Sequence, residues 1–284
     1  MPFGSMNAPA TCQRPMQSVL RDLAPQKCLV YLDGVIAHGP SSHEHLANPR
    51  ILLDRLRQVG LKLNPAKCRL MQKEVNFLRH DISKEYIQTD RTKTVQVEQW
   101  PIPLTVTEVK SFLGLASYYR RFVRNFSMIT EPLNALLGKD CEFLWTEAQQ
   151  QSFDQRRKAL YESPILAFPD FAMESGELIS DTDASVHGLG AVLSQKGETG
   201  EEHVIAYRSR SLNNRGKNYC TTRMEMLALV FFLKQYRYYL LGEKFVVRTD
   251  HQSLTWLGSF RDPKGQITRW HVYLQAYAFE CFDR

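Results

Sequence analysis

The chain has 284 residues, 43% hydrophobic and 23% charged, which excludes a disordered polymer and gives room for two or three domains. Its 36 Lys and Arg against 30 Asp and Glu leave a net charge of +6 and a pI near 9.0, a balance that favours an anionic partner without singling out nucleic acid. No apolar run approaches membrane-spanning length and the start lacks a secretory pattern, so the expectation is a soluble intracellular chain, cytoplasmic or nuclear, with no membrane partner.

Asn7 is placed to cap a helix from about Ala8 to Leu20, with Pro9 tolerated in the first turn. In "CLVYLDGVIAHG", two short apolar strands flank Asp33-Gly34, the dipeptide of a tight type I′ hairpin, and on spacing alone this turn reading outweighs a metal site. Ser41 and Glu44 form a capping box that opens a second helix running to Gly60, where the interior Pro49 predicts a kink or a delayed start. "LKLNPAKCRLM" and "VNFLRHDIS" read as short strands, and Pro101 and Pro103 as a linker.

A new helical unit follows, with Thr105 and Glu108 as capping box and Leu104 and Val109 as hydrophobic staple. Phe112, Leu115, Tyr119 and Phe122 recur at helical spacing as a packed stripe. Arg120, Arg121 and Arg124 suit phosphate contact or a plain solvated face. Another capped helix starts after Thr146 and ends before Pro164, and "ILAFPDF" is a connector. From about Gly176 the pattern changes: strands "ELISDTDAS", "HGLGAVLSQ" and "HVIAYRSRSL", a helix from Thr222 to about Leu241 ended by Gly242, the strand "KFVVRTDH", a helical piece at "SLTWL", and a last helix and strand. Gly188 and Gly190 lack the spacing of a nucleotide phosphate loop and read as turn and strand glycines.

Asp183 at a strand end, Glu225 in the first turn of a helix and Asp250 at another strand end form the sharper chemical clue. If the strands are neighbours and the helix crosses them, three carboxylates converge, repel one another and call for divalent metal. Capping of Thr222 by Glu225 and turn roles for the two aspartates explain the same residues and remain open. His38, His43 and His45 lie near Asp33 without a Ser-His-Asp arrangement, and Cys28 has no activating partner. The six cysteines show no zinc spacing and read as reduced thiols.

"MPFGSMNAPATCQRPM", "CLVYLDGVI", "SFLGLASYYRRFVRNFS", "DTDASVHGLGAVLSQ", "NYCTTRMEMLALV" and "VVRTDHQSLTWL" together resemble the pol protein of Ty3/Gypsy-class LTR retrotransposons, from the first residue nearly to the last. The resemblance implies an α+β and α/β multidomain chain: residues 1–90 as a partial reverse-transcriptase palm, 91–170 as thumb and connector, and 171–284 as a truncated, mixed-sheet RNase H-like domain. It makes Asp33 a remnant of the polymerase site, with Gly34 where the second aspartate of the pair stands and another ligand in a segment before Met1. It makes Asp183, Glu225 and Asp250 three of four catalytic, metal-binding acids for Mg²⁺ or Mn²⁺, with the fourth past Arg284.

Arg79, in place of a glycine beside the primer end, and Gly216, in place of an acidic residue, are further departures from the pattern. The implied function is metal-dependent hydrolysis of the RNA strand of an RNA·DNA hybrid, weak or absent in this stretch alone, with DNA synthesis lost and Arg120, Arg121 and Arg124 on the nucleic-acid backbone. The alternatives are a non-catalytic nucleic-acid-binding relic and an unstable fragment.

Overall fold

The computed structural model describes residues 6–138, 141–172, 175–250 and 265–283, in two compact units, 1–72 and 73–284. The helical piece expected at "SLTWL" lies outside the described residues.

In the first unit, α1 (Ala8–Val19) precedes the hairpin β1 (Cys28–Tyr31) and β2 (Gly34–Ala37), and α2 (Ser42–Gln58) follows. Leu20, Leu23, Cys28, Leu52 and Leu56 form the core. Asn7 makes no side-chain cap. Tyr31 pairs with Gly34, so the turn residues are Leu32 and Asp33, and Gly34 already belongs to the second strand. Leu32 has φ of 55° and Asp33 does not share that left-handed backbone, so the connection is not the type I′ turn that Asp-Gly suggested. Its strain is offset locally: Gln13 Oε1 accepts from the Leu32 amide, which pins the turn against α1. α2 begins at Ser42 with Ser41 Oγ accepting from Glu44 N at 3.2 Å, and it runs through Pro49, so its start is not delayed.

The second unit opens with β3 (Val75–Phe77), β4 (His80–Ile82) and β5 (Tyr86–Thr89), joined later by β6 (Leu166–Ala167) in an antiparallel sheet. "VNFLRHDIS" is therefore a hairpin and not one strand, whereas "LKLNPAKCRLM" carries one short 3-10 turn, Pro65–Lys67, and no strand. α3 (Arg91–Glu98), which weak apolar periodicity concealed, is capped by Asp90. α4 (Val106–Tyr118) is capped by Thr105 as the spacing predicts, but the staple is not made, because Leu104 is 76% exposed while Val109 is fully buried. A 3-10 turn (Arg120–Phe122), α5 (Phe126–Ile129), α6 (Glu131–Ala135) and the capping-box helix α7 (Glu147–Tyr161) complete a core around Phe112, Tyr119, Phe122 and Phe153. Arg156 is wholly buried there, with its guanidinium 3.3 Å from the centre of the Phe126 ring and Nη2 donating to Phe126 O at 2.7 Å. Burial pushes its pKa down to about 9.

Three strands then form a meander, β7 (Leu178–Ala184), β8 (Gly188–Lys196) and β9 (Glu202–Ser211). The short α8 (Asn214–Lys217) precedes α9 (Thr221–Gln235), and α10 (Arg237–Leu240) follows it. β10 (Lys244–Thr249), α11 (Gln266–Leu274) and β11 (Ala278–Asp283) end the described fold. The sheet order is β11-β10-β7-β8-β9, with β7, β10 and β11 parallel and the meander antiparallel. α9 buries Met224, Ala228, Leu229, Phe232 and Leu233 in the core that includes Leu178, Leu193 and Val247. The helix expected as one piece to Leu241 divides at Tyr236, where a fresh turn starts, and Gly242, with φ of 93°, turns the chain into β10.

The β3–β4 turn places Leu78 at φ of 50° and Arg79 at φ of 59°, both left-handed. The Tyr118 hydroxyl donates to Leu78 O, and Tyr119 Oη donates to Arg79 O at 3.0 Å, so the last residue of α4 and its C-cap hold the strained turn. Relief of strain, about 1–2 kcal/mol, should outweigh the added chain entropy of glycine, about 0.5–1 kcal/mol. Arg79→Gly is expected to raise stability by about 0.5 kcal/mol in urea unfolding; a lower midpoint would show that the arginine side chain contributes more than the strain removes.

Candidate metal centre

β10 pairs in parallel with β7 so that Arg248 faces Asp181. Two residues further along both chains stand Asp250 and Asp183, so the register delivers both carboxylates to the same end of neighbouring strands. α9 packs on β7 and brings Glu225 to that end. One carboxylate oxygen of each of the three residues lies within 4.8 Å of the other two. Asp183 and Asp250 are exposed, whereas Glu225 is only 2% exposed.

The alternative capping role for Glu225 does not hold. The helix starts at Thr221 with Cys220 at its N-cap, which puts Glu225 inside the second turn, beyond capping reach. The Ala184 backbone lowers the pKa of its carboxylate as the least of the influences on it, while its buried Oε2 has no hydrogen-bond partner among the described residues. Burial first, then the charges of Asp250 and Asp183, raise the Glu225 pKa to about 7. Among the described residues, none of the three acids makes a salt bridge. An unpartnered buried carboxylate oxygen facing two further carboxylates is the donor set of a hard divalent cation, and the residues fit one.

The other singled-out residues separate. Asp33 is exposed in its turn, and Gly34 offers no second carboxylate. His38 Nε2 is bonded to Pro25 O at 2.9 Å, and His43 and His45 lie in the first turns of α2. Cys28 is buried, and burial pushes its thiol pKa up, against a nucleophilic role. All six cysteines are free.

Arg120 and Arg124 are exposed, while Arg121 is half-buried, lies over Phe122 and donates to Ile205 O at 3.4 Å. Burial, and then the charge of Arg208 on β9, hold the pKa of Arg120 down. Arg121 is lowered by burial, with Arg208 a lesser cause. Arg208 thus joins the basic group from a strand distant in sequence. Only the alternation in "YRSRS" hinted that its arginines share a face.

Similarity to known proteins agrees with the fold and the acid cluster. A model of the reverse transcriptase (RNA-dependent DNA polymerase) family matches residues 1–82, and one described as the RNase H-like domain found in reverse transcriptase matches 174–277. The chain is 38% identical over 281 residues to the retrovirus-related Pol polyprotein from transposon 297 of Drosophila melanogaster, covering 99% of this chain and 26% of that protein. It is 33% identical over 284 residues to the transposon Tf2-3 polyprotein of Schizosaccharomyces pombe, covering 99% and 21%. The chain therefore spans about a quarter of the length of these relatives.

Among solved structures, the foamy viral protease-reverse transcriptase in complex with dsDNA superposes with a TM-score of 0.80 at 22% identity, over 100% of this chain and 60% of that one. The same viral protein in complex with RNA/DNA hybrid gives 0.77 at 22% identity, over 100% and 39%. Both share the fold. No helix among the described residues is long and apolar enough to cross a membrane.

Because the folded pKa of Glu225 lies above its usual value near 4.5, the metal-free fold is favoured with this group protonated. Its contribution is fully present below about pH 4.5 and is lost as pH rises through about 7. Glu225→Gln is expected to raise the metal-free melting temperature at pH 8 more than at pH 5, and to cut the stabilisation that Mn²⁺ gives at pH 8. Equal shifts at both pH values in a melting series would show that Glu225 is not the titrating group.

Proposed function

Since the chain belongs to the retrotransposon and retroviral Pol family, as a reverse-transcriptase region followed by an RNase H-like domain, we propose that Asp183, Glu225 and Asp250 hold divalent cations and hydrolyse the RNA strand of an RNA·DNA hybrid. The observation that carries this reading is that one carboxylate oxygen of Glu225 lies within 4.8 Å of one from Asp183 and one from Asp250, while its buried Oε2 has no hydrogen-bond partner among the described residues. In the proposed organisation, residues 1–90 are palm, 91–170 thumb and connector, and 171–284 the nuclease region.

When bound, Mg²⁺ or Mn²⁺ would activate water and stabilise the leaving oxygen of the phosphodiester. Asp183 and Asp250 reach that centre from the open side, where a backbone phosphate approaches, and Glu225 closes the site from beneath. Arg120 and Arg124 supply exposed positive charge for the nucleic-acid backbone, recognising phosphate and groove shape over base sequence.

DNA synthesis is absent in this reading, because Gly34 removes a carboxylate that would position cations beside Asp33. Gly34 also favours a second reading for the polymerase half alone: a scaffold that binds nucleic acid without chemistry.

Cleavage of an RNA·DNA hybrid in Mg²⁺ or Mn²⁺ is expected to fall at least about a hundredfold in Asp183→Asn, the scale of losing a group that organises transition-state charge. Cleavage unchanged by that substitution would reject the site. Hybrid affinity is expected to weaken with salt, and Arg120→Ala/Arg124→Ala should reduce the log-log salt slope by about 1–2. A filter-binding titration with an unchanged slope would remove these arginines from the interface.

A further inference from the structure

The RNase H-like match covers residues 174–277, yet the strand end that carries Asp183 is seated on residues well before that stretch. Asp183 lies opposite Gly190 in the β7–β8 ladder, and Ala184 opposite Leu189. A Cβ on Gly190 would stand 2.8 Å from Asn125 Oδ1, and one on Gly188 would stand 2.8 Å from Arg210 O and 3.4 Å from Met128 Cγ. The space at Gly190 is thus taken by Asn125, where α5 begins, and that at Gly188 first by the Arg210 carbonyl of β9 and then by Met128, which accounts for both glycines without a nucleotide.

That segment is fixed by several bonds. Asn125 adopts φ of 52°, and the Ser127 amide donates to Ser209 Oγ on β9 at 2.8 Å. The Ser185 hydroxyl, in the turn immediately after Asp183 and Ala184, contacts Met128 Sδ at 3.9 Å and donates to Gly188 O at 3.2 Å. The Ala184 backbone in turn acts on the Glu225 carboxylate closely enough to lower its pKa. A continuous line of contact runs from Asn125 and Met128 through Gly190 and Ser185 to two of the three acids.

We propose that Asn125 and Met128 are positioning residues of the metal centre, acting through the glycine-lined end of β8 to set the spacing between Asp183 and Glu225. The proposal rests on the metal-binding reading above. It assigns part of the nuclease geometry to the connector, so the site is built by two regions and not by the RNase H-like stretch alone.

The test compares the whole chain with Gly190→Val, Asn125→Gly and their combination. Mn²⁺ affinity by calorimetry at pH 8 is read beside thermal unfolding and the hydrogen exchange of the Ala184 amide. Gly190→Val is expected to weaken Mn²⁺ about tenfold or more, the scale of losing a group that orients a metal ligand, and to speed Ala184 exchange. Asn125→Gly, whose backbone tolerates positive φ, removes the amide that fills the space at Gly190 and is expected to weaken Mn²⁺ by less than Gly190→Val does, and in the combination, where that space takes the valine, to recover part of the Gly190→Val loss.

A merely structural contact would lower the melting temperature of Gly190→Val while leaving the affinity of the folded protein unchanged, and that result overturns the proposal. If the parent chain binds no Mn²⁺, the metal reading fails by itself; Ala184 exchange then decides the mechanical coupling, and equal exchange in parent and Gly190→Val refutes it.

Discussion

Two parallel strands, β7 and β10, run side by side in a register that sets Arg248 against Asp181 and carries Asp183 and Asp250 to a common end. Parallel pairing needs a crossover that covers the sheet, and α9 lies in that crossover. Its apolar face fills the core, and the same packing that buries Leu229 and Phe232 sets Glu225 against the strand ends. The acid cluster is a by-product of how the hydrophobic layer is assembled. Once formed, it is electrostatically unfavourable in the metal-free chain, since Glu225 gives up hydration between two like charges.

Arg248 shows how the same sheet treats charge where no site is needed. Its guanidinium is bidentate to Asp181, at 2.6 and 2.8 Å, and meets Glu202 at 2.7 and 2.8 Å. Two acids and one arginine tie β7, β10 and β9 together a few residues from a place where three acids meet without a salt-bridge partner among the described residues. The contrast between neutralised and unneutralised carboxylates within one sheet separates framework from site.

Much of this was legible in the residues themselves. Strand alternation from Leu178 onward, the strong helix through Glu225, the Thr105 and Thr146 caps and the buried stripe of Phe112, Tyr119 and Phe122 all follow from local pattern, because burial and capping act over a few residues. The convergence of Asp183, Glu225 and Asp250 did not follow from spacing, since cross-strand register is a tertiary fact; only the resemblance to a known family raised it above a capping role. α3 and the split of "VNFLRHDIS" at Leu78 and Arg79 were missed for another reason. Two left-handed residues without glycine carry no local turn signal, and the tyrosines that hold them lie 40 residues away.

Arg156 also bears on the segment around Phe126. Its guanidinium lies 3.3 Å from the centre of the Phe126 ring and holds that residue's carbonyl, while Nε and Nη1 have no hydrogen-bond partner among the described residues. Phe126 sits between Asn125 and Ser127, so a sequestered cation braces from behind the same short segment that touches β8 and β9 in front. Such a charge has no half-hydrated resting place. Burial of that charge favours the segment fully seated on the sheet over a partly hydrated one, so Arg156 acts as a clasp on the stretch around Phe126 and not as a surface tether.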